Sequence, residues 1–170
     1  MAHRAVKTLV LIGVMGLAAC SNNSRFGGGS DYGAGAGGGY GAGDASNPNS
    51  PAYFQAAVGD RVLFPVDQST LTDVARSTLD AQAAWMNTNT AFNAQIEGHA
   101  DEQGTREYNL ALGARRANSV QEYLISRGVA GTRLNTVSYG KERPLEICSE
   151  EACYAKNRRA VTVLQAAAGS

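Results

Sequence analysis

The chain has 170 residues, 44% of them hydrophobic, and its 15 basic and 15 acidic residues balance to a formal net charge of zero. This balance argues against nucleic-acid binding, which needs a basic surface. The longest apolar run, Leu9 to Ala19, is shorter than the roughly 20 residues that cross a bilayer as a helix, so a polytopic membrane protein is excluded. The length fits one domain with appendages.

The N-terminus has the pattern of a secretory signal, a short basic stretch followed by an apolar run. Residues 17–20 read Leu-Ala-Ala-Cys, which resembles the lipobox at which bacterial lipoproteins are acylated and cleaved. We predict a signal peptide over residues 1–19 and lipidation of Cys20, which anchors the mature chain to a membrane. The alternative is a plain signal peptide with an incidental cysteine. By resemblance to Gram-negative lipoproteins, Ser21 favours the outer membrane.

A glycine-rich segment follows the predicted anchor. Residues 21–50 contain ten glycines, and no helical or strand periodicity runs through them. A flexible coil of this length spans about 30 Å on average. We therefore predict that residues 20–50 are a lipidated cysteine and its flexible tether.

From Pro51 onward, hydrophobic periodicity predicts strands and helices in alternation. The predicted strands are Arg61–Phe64, Ala94–His99, Leu134–Ser138 and Ala160–Leu164. The resulting order, βαβαββ, predicts an α+β sandwich with helices on one face of a mixed sheet. We place this domain at residues 51–165, followed by a short tail at 166–170.

Two amphipathic helices are predicted between these strands. The first has Ser69 or Thr70 as a possible N-cap, and the second runs from about Glu107 to Ser126, with Gly128 placed to end it. The first helix is expected to bury Leu71, Val74, Ala75, Thr78, Leu79, Gln82, Trp85 and Met86. The second is expected to bury Leu110, Ala114, Ala117, the stem of Gln121 and Leu124.

Two further cysteines, Cys148 and Cys153, lie near the C-terminus. After secretion they meet an oxidising compartment, where a disulfide is the expected state. A zinc site would need two more ligands, and His99 is the only histidine left once the signal peptide, with His3, is removed. We predict a disulfide and no metal.

The segment from Ile96 to Ala117 carries the chemistry. In a strand, Glu97, His99 and Asp101 would project to one face, as an acid–base pair or metal cluster requires. No nucleophile motif, second ligand pair or phosphate-binding glycine loop accompanies them. The sequence therefore favours a protein without catalysis and without a cofactor.

A binding cleft is the better interpretation. Asn109, Leu112 and Arg116 form one stripe of about 10 Å on the predicted second helix, and Asp101 lies in the turn before it. An aspartate and an arginine converging on one pocket suit a zwitterion, since arginine binds its carboxylate and aspartate its ammonium group. The spacing equally allows Asp101 and Arg116 to pair with each other.

Several motifs resemble the family that shares the C-terminal domain of outer membrane protein A, the OmpA-like family. They lie, in chain order, at Gly98–Thr105, Tyr108–Asn109, Leu112–Ala117, Val137–Glu142 and Lys156–Val161. The resemblance covers about residues 58–165, and the lipobox lies where lipid-anchored members carry theirs.

The resemblance implies non-covalent binding of peptidoglycan through its stem peptide, which contains meso-diaminopimelate. The family's binding residues fall on Asp101, Asn109, Leu112, Arg116 and Arg158, the last being the first arginine of an Asn-Arg-Arg motif. Diaminopimelate presents an ammonium and a carboxylate group on one carbon. The resemblance therefore favours a site in which Asp101 and Arg116 both bind the ligand. It argues against a direct ion pair between the two residues.

The resemblance also implies an outer-membrane lipoprotein of the Tol system, with TolB and other Tol proteins as partners and a role in envelope integrity and cell division. Two alternatives stay open. One is a cell-wall enzyme that uses Glu97, His99 and Asp101, and the other is an OmpA-like anchor outside the Tol system.

Overall fold

The computed structural model describes residues 44–147 and 149–166. Four strands of this part of the chain form one mixed sheet: β1 (Arg61–Leu63), β2 (Phe92–His99), β3 (Leu134–Gly140) and β4 (Arg159–Ala166). The strand order is β1-β4-β2-β3, in which β2 and β3 are parallel and the other pairs antiparallel. The predicted mixed sheet is confirmed, and β2 is a central strand.

The helices are α1 (Pro51–Tyr53), which continues as a π-helical turn (Phe54–Gly59), α2 (Asp73–Thr88), α3 (Arg106–Ser126) and α4 (Glu151–Asn157), with a 3₁₀ turn at Gly131–Arg133. The hydroxyl groups of Thr72 and Thr105 cap α2 and α3 by accepting hydrogen bonds from backbone N–H groups. Gly128, with φ of 93°, follows the end of α3 as predicted. Within the described ranges, no helix is long and apolar enough to cross a membrane.

Helices α2 and α3 lie on one face of the sheet and enclose the hydrophobic core. Its fully buried members include Phe54, Leu79, Met86, Ala94, Ile96, Ala117 and Leu124. Strands supply alternate residues and helices supply residues spaced by three or four, as the periodicities predicted. The α+β fold class is therefore confirmed.

Three details differ from the sequence predictions. The N-cap of α2 is Thr72 rather than Ser69 or Thr70, because the helix begins two residues later than the apolar pattern. Val74 and Leu110, both expected in the core, are 78% and 49% exposed. Val74 lies in the first turn of α2, beside an open pocket that it lines together with β1, and the side chain of Leu110 is half-exposed on α3.

The position of Leu110 follows from an unusually close approach of α3 to the sheet. A Cβ atom added to Gly98 of β2 would lie 1.9 Å from the carbonyl oxygen of Gly113. The hydroxyl of Ser138 donates a 2.6 Å hydrogen bond to the Leu110 carbonyl. The backbone of α3 thus touches β2 and β3 directly at Leu110 and Gly113.

The segment before α1 is attached at the end of the domain where α2 finishes. The indole N–H of Trp85 donates a 2.7 Å hydrogen bond to the carbonyl of Pro48. The Trp85 ring also packs against Phe54 and Phe92, with ring centroids 5.0 and 5.5 Å away. The packed region therefore begins before Pro51. The change in composition had placed the start of the domain at that residue.

Several predictions lie outside the described residues. They are the signal peptide, the lipidation of Cys20 and most of the tether, together with the end of the tail and Cys148. Cys153 is buried in α4, a helix that the sequence analysis did not predict. The disulfide stays a prediction.

Candidate functional site

A polar cavity of about 290 Å³ lies where β2 ends and α3 begins. It is lined in part by Asp67, Asp101, Gln103, Tyr108, Asn109 and Leu112. The loop between β1 and α2 supplies one side and the turn before α3 the other. Three of the five binding residues implied by the resemblance are in this lining, and the other two are buried arginines.

Asp101 is a carboxylate with only 7% of its surface exposed, at the inner side of the cavity. Its Oδ2 accepts a 3.1 Å hydrogen bond from Nη1 of Arg158, and its Oδ1 accepts a 3.3 Å bond from the backbone N–H of Gln103. These donors replace hydrogen bonds that a buried carboxylate loses to water. The structure therefore pairs Asp101 with Arg158, 57 residues away, rather than with Arg116.

Arg116 is completely buried beside the cavity. It donates hydrogen bonds to the main-chain carbonyls of Gln68 and His99, both at 2.8 Å, and of Pro65 at 3.2 Å. Burial lowers its pKa to about 10, against the opposing effect of Asp101, so the guanidinium is charged at neutral pH. Arg116 thereby joins the loop after β1 to the end of β2, a role that the sequence analysis did not predict.

The bonds of Arg116 do not use all its donors. A guanidinium carries five N–H groups, and the three carbonyls take one each from Nε, Nη1 and Nη2. One N–H on each terminal nitrogen is left over. Arg116 itself is not among the residues that line the cavity.

Asn109 and Leu112 form the part of the wall that belongs to α3. The side-chain amide of Asn109 donates a 2.8 Å hydrogen bond to the carbonyl of Gln103, so it fixes the turn that carries Asp101. Lys141, the residue after β3, reaches the same turn and donates to the carbonyl of Gly104 at 2.8 Å. Leu112 is 4% exposed and supplies an apolar surface. The turn is thus held from two sides.

Arg158 connects the cavity to α4. Its Nε donates a 3.2 Å hydrogen bond to the carbonyl of Phe64, and its two terminal nitrogens contact Asp101 and the carboxylate of Glu151. Burial lowers the pKa of Arg158, but the hydrogen bonds that it donates to Glu151 and Asp101 outweigh this effect and raise the pKa overall. The hydrogen bond that Arg158 donates to Glu151 also lowers the pKa of Glu151.

Two functional candidates in this region were missed from the sequence. Asp67 lines the cavity with a backbone φ of 57°, a left-handed conformation that aspartate tolerates better than most residues. Its carboxylate accepts a hydrogen bond from the hydroxyl of Tyr108. Glu151 is the second, and it lies in the unpredicted helix α4. No motif or spacing distinguishes either residue.

The catalytic alternative required Glu97, His99 and Asp101 to act together. Strand β2 ends at His99, so its alternation does not extend to Asp101, whose carboxylate binds Arg158 instead. Nε2 of His99 lies 3.9 Å from the carboxylate of Glu97. In residues 44–147 and 149–166, no three His, Cys, Asp or Glu side chains form a group that could hold a metal ion.

His99 is buried without a hydrogen-bond partner on either ring nitrogen. Its ring lies 5.5 Å from that of Tyr139, and the charges of Arg159 and Arg143 act on it from β4 and the loop after β3. Burial, reinforced by these two arginines, lowers its pKa to about 3. The imidazole is therefore neutral in the folded protein at physiological pH.

The fold and the cavity together define a small α+β binding domain with a buried carboxylate at the end of its central strand. Comparison with known proteins gives the same class. Residues 63–158 match the model of the OmpA family. The C-terminal domain of MotB from Helicobacter pylori has the same fold, with a TM-score of 0.60 at 21% identity, and covers 64% of this chain and 86% of that one.

Closer relatives are named peptidoglycan-associated lipoprotein. One from Mesorhizobium japonicum is 43% identical to this chain, over 94% of this chain and 91% of the relative's own length. One from Rhizobium meliloti is 52% identical, over 71% of this chain and 68% of the relative's own length. The crystal structure of the peptidoglycan-associated lipoprotein from Burkholderia pseudomallei matches with a TM-score of 0.63 and 36% identity, over 72% of this chain and all of that one. The chain belongs to the OmpA family and, within it, to the peptidoglycan-associated lipoproteins.

Proposed function

We propose that this protein binds peptidoglycan non-covalently, without catalysis, and links the outer membrane to the cell wall. The observation that carries the proposal is the nearly buried carboxylate of Asp101, paired with Arg158, in the lining of a cavity of about 290 Å³. A buried carboxylate with a partly open coordination shell attracts an ammonium group that can enter the cavity. The names of the relatives indicate peptidoglycan as the source of that group.

The ligand we propose is the meso-diaminopimelate of the stem peptide. Its ammonium group binds Asp101, with Asp67 as a second carboxylate on the opposite side of the cavity. Its carboxylate interacts with the charge of Arg116, which is buried beside the cavity, while Leu112 of the cavity lining contacts the aliphatic chain. Asn109 and Arg158 hold the turn and the carboxylate of Asp101 in place.

The membrane anchor completes the proposed function. Cys20 is acylated, and the segment up to about residue 50 lets the domain reach the cell wall from the outer membrane. The relatives' shared name supports a lipoprotein. The partners are TolB and other Tol proteins, and the tie between membrane and wall serves envelope integrity and division. The sequence around Cys20 and the membership of the family support these assignments.

Substitution of Asp101 by asparagine tests the binding site. We expect Asp101→Asn to weaken binding about 10- to 100-fold, because it removes a charge-assisted hydrogen bond to the ammonium group without changing the shape of the side chain. The measurement is co-sedimentation with purified, diaminopimelate-containing sacculi, using the mature chain with Cys20→Ser. Arg158 keeps Glu151 as its counter-charge, so we expect the variant to fold.

The matched control is Asp80→Asn. Asp80 is an exposed α2 aspartate that pairs with Arg127, away from the cavity. We expect this variant to bind as the parent does. Equal sedimentation of the parent and of folded Asp101→Asn would contradict the proposed site.

We also propose that Cys148 and Cys153 form a disulfide in the mature protein. In denaturant, the Cys20→Ser chain purified without reductant should take up no iodoacetamide before reduction and two equivalents after it, because both remaining thiols are oxidised. Intact-mass spectrometry measures the uptake. Alkylation of the unreduced, denatured chain would show that the thiols are free.

A further inference from the structure

We propose that Glu151, which is not part of the cavity lining, is a positioning residue that sets how strongly Asp101 attracts the ligand's ammonium group. It does so by sharing Arg158 with Asp101. The inference rests on the proposed binding of an ammonium group at Asp101. It assigns a role in ligand affinity to a residue of helix α4.

The contacts around Arg158 are unequal. Its Nη1 lies 3.1 Å from Oδ2 of Asp101 and 3.4 Å from Oε2 of Glu151, whereas its Nη2 contacts Glu151 alone of the two carboxylates. Glu151 therefore holds both terminal nitrogens and Asp101 only one. The side chains of Asp101 and Arg158 are 10% and 6% exposed, but that of Glu151 is 65% exposed.

This arrangement gives one cation to two carboxylates. The cluster of Asp101, Glu151 and Arg158 carries a net charge of −1, whereas an isolated pair of Asp101 and Arg158 would be neutral. Because Glu151 accepts hydrogen bonds from both terminal nitrogens of Arg158, the negative charge of Asp101, which lines the cavity, is only partly neutralised. The charge of the buried Arg116 acts on Asp101 with or without Glu151, and the ammonium group of a ligand adds a counter-charge from the cavity side.

Arg158 has little freedom to respond in any other way. Its Nε donates a hydrogen bond to the carbonyl of Phe64, the residue after β1, and its buried guanidinium lies between the two carboxylates. Without the charge of Glu151, both terminal nitrogens are available to Asp101. A forked pair with Asp101 would then compete directly with the ligand.

Glu151→Gln tests the inference, because glutamine has the same shape without the charge. The probe is a soluble muropeptide released from diaminopimelate-containing sacculi, and its affinity for the mature Cys20→Ser chain is measured by calorimetry. We expect the variant to bind about 3- to 10-fold more weakly than the parent, and with a weaker dependence on salt. Asp80→Asn serves again as the control for loss of an exposed, paired carboxylate.

A second probe separates positioning from a structural effect. When the free amine of the muropeptide is acetylated, the ligand loses the charge that Asp101 binds, so parent and Glu151→Gln should bind it equally weakly. A merely structural role would reduce the affinity for both probes alike and lower the melting temperature. That result, or unchanged affinity of Glu151→Gln for the unmodified muropeptide, would overturn the inference.

The same measurements distinguish this inference from the function it rests on. If the parent fails to bind the unmodified muropeptide, or binds the acetylated form as tightly, the proposed ammonium site is wrong and the role of Glu151 is rejected with it. If the parent discriminates between the probes and Glu151→Gln matches it on both, the site stands and only the role of Glu151 is rejected.

Discussion

Gly98→Ala is expected to destabilise the domain by more than 3 kcal/mol, because the added methyl group has no space. Its carbon would lie 1.9 Å from the carbonyl oxygen of Gly113 and 2.6 Å from its carbonyl carbon. Both obstacles are main-chain atoms, so relief requires a shift of α3 away from β2, and overpacking of this kind costs about 1–3 kcal/mol even where side chains can move. Urea unfolding at constant pH measures the difference.

Gly131→Ala is the matched control for the loss of a glycine. A Cβ atom there would meet only the end of the half-exposed Ile125 side chain, at 3.3 Å. That side chain can turn aside, so we expect a change below about 1 kcal/mol. If Gly98→Ala is as mild as Gly131→Ala, then α3 does not rest on the backbone of β2 in solution.

The stability of the protein is expected to fall by about 2 kcal/mol between pH 7 and pH 5, because of His99. The folded-state pKa of His99 is about 3, far below the value of about 6.5 for an unfolded histidine. As the pH falls below 6.5, the unfolded chain takes up a proton that the folded chain does not, which favours unfolding. The contribution of the neutral His99 to the free energy of unfolding is therefore fully present above pH 6.5. It is lost progressively as the pH falls toward 3.

The environment of His99 makes this effect easy to assign. It is the only histidine in the chain besides His3, which belongs to the predicted signal peptide. The charged groups that act on it are Arg159 and Arg143, and Glu97 lies 3.9 Å from Nε2. Most carboxylates titrate below pH 5. The slope of unfolding free energy between pH 7 and pH 5 thus reports on one side chain.

His99→Phe should remove this slope. Phenylalanine does not titrate, and it replaces two buried nitrogens that have no hydrogen-bond partner, so we expect the variant to be at least as stable as the parent at pH 7. Denaturant titrations at pH 7, 6 and 5 compare the two proteins. A parent whose stability is constant over this range, or a slope that persists in His99→Phe, would contradict the prediction.

Most of the fold could be predicted from local patterns. Strand β2 and helices α2 and α3 follow their hydrophobic periodicities, and Gly128 was placed correctly after α3. Helix α4 was missed because its short sequence contains Cys153, and the cysteine pair suggested a loop closed by a disulfide. The orientation of α3 was also missed, since it depends on the contact of two glycines 15 residues apart in sequence, Gly98 and Gly113.

The site was predictable in its location but not in its bonding. Asp101, Asn109 and Leu112 line one cavity, as the helical stripe and the turn before it suggested. The partner of Asp101 could not be predicted, because Arg158 reaches it only through the pairing of β4 beside β2. Likewise, the carbonyls bound by Arg116 lie up to 51 residues away, and carbonyl acceptors leave no trace in a sequence.

The attachment at Trp85 has a mechanical consequence. Strand β2 runs from Phe92, beside Trp85, to His99, two residues before Asp101, so the two ends of the domain are about 25 Å apart along this strand. A load applied between the N-terminal segment at Pro48 and the ligand proposed at Asp101 would have a component along β2. The hydrogen bonds from β2 to β3 and β4 run across this direction, so that component would act on them in shear.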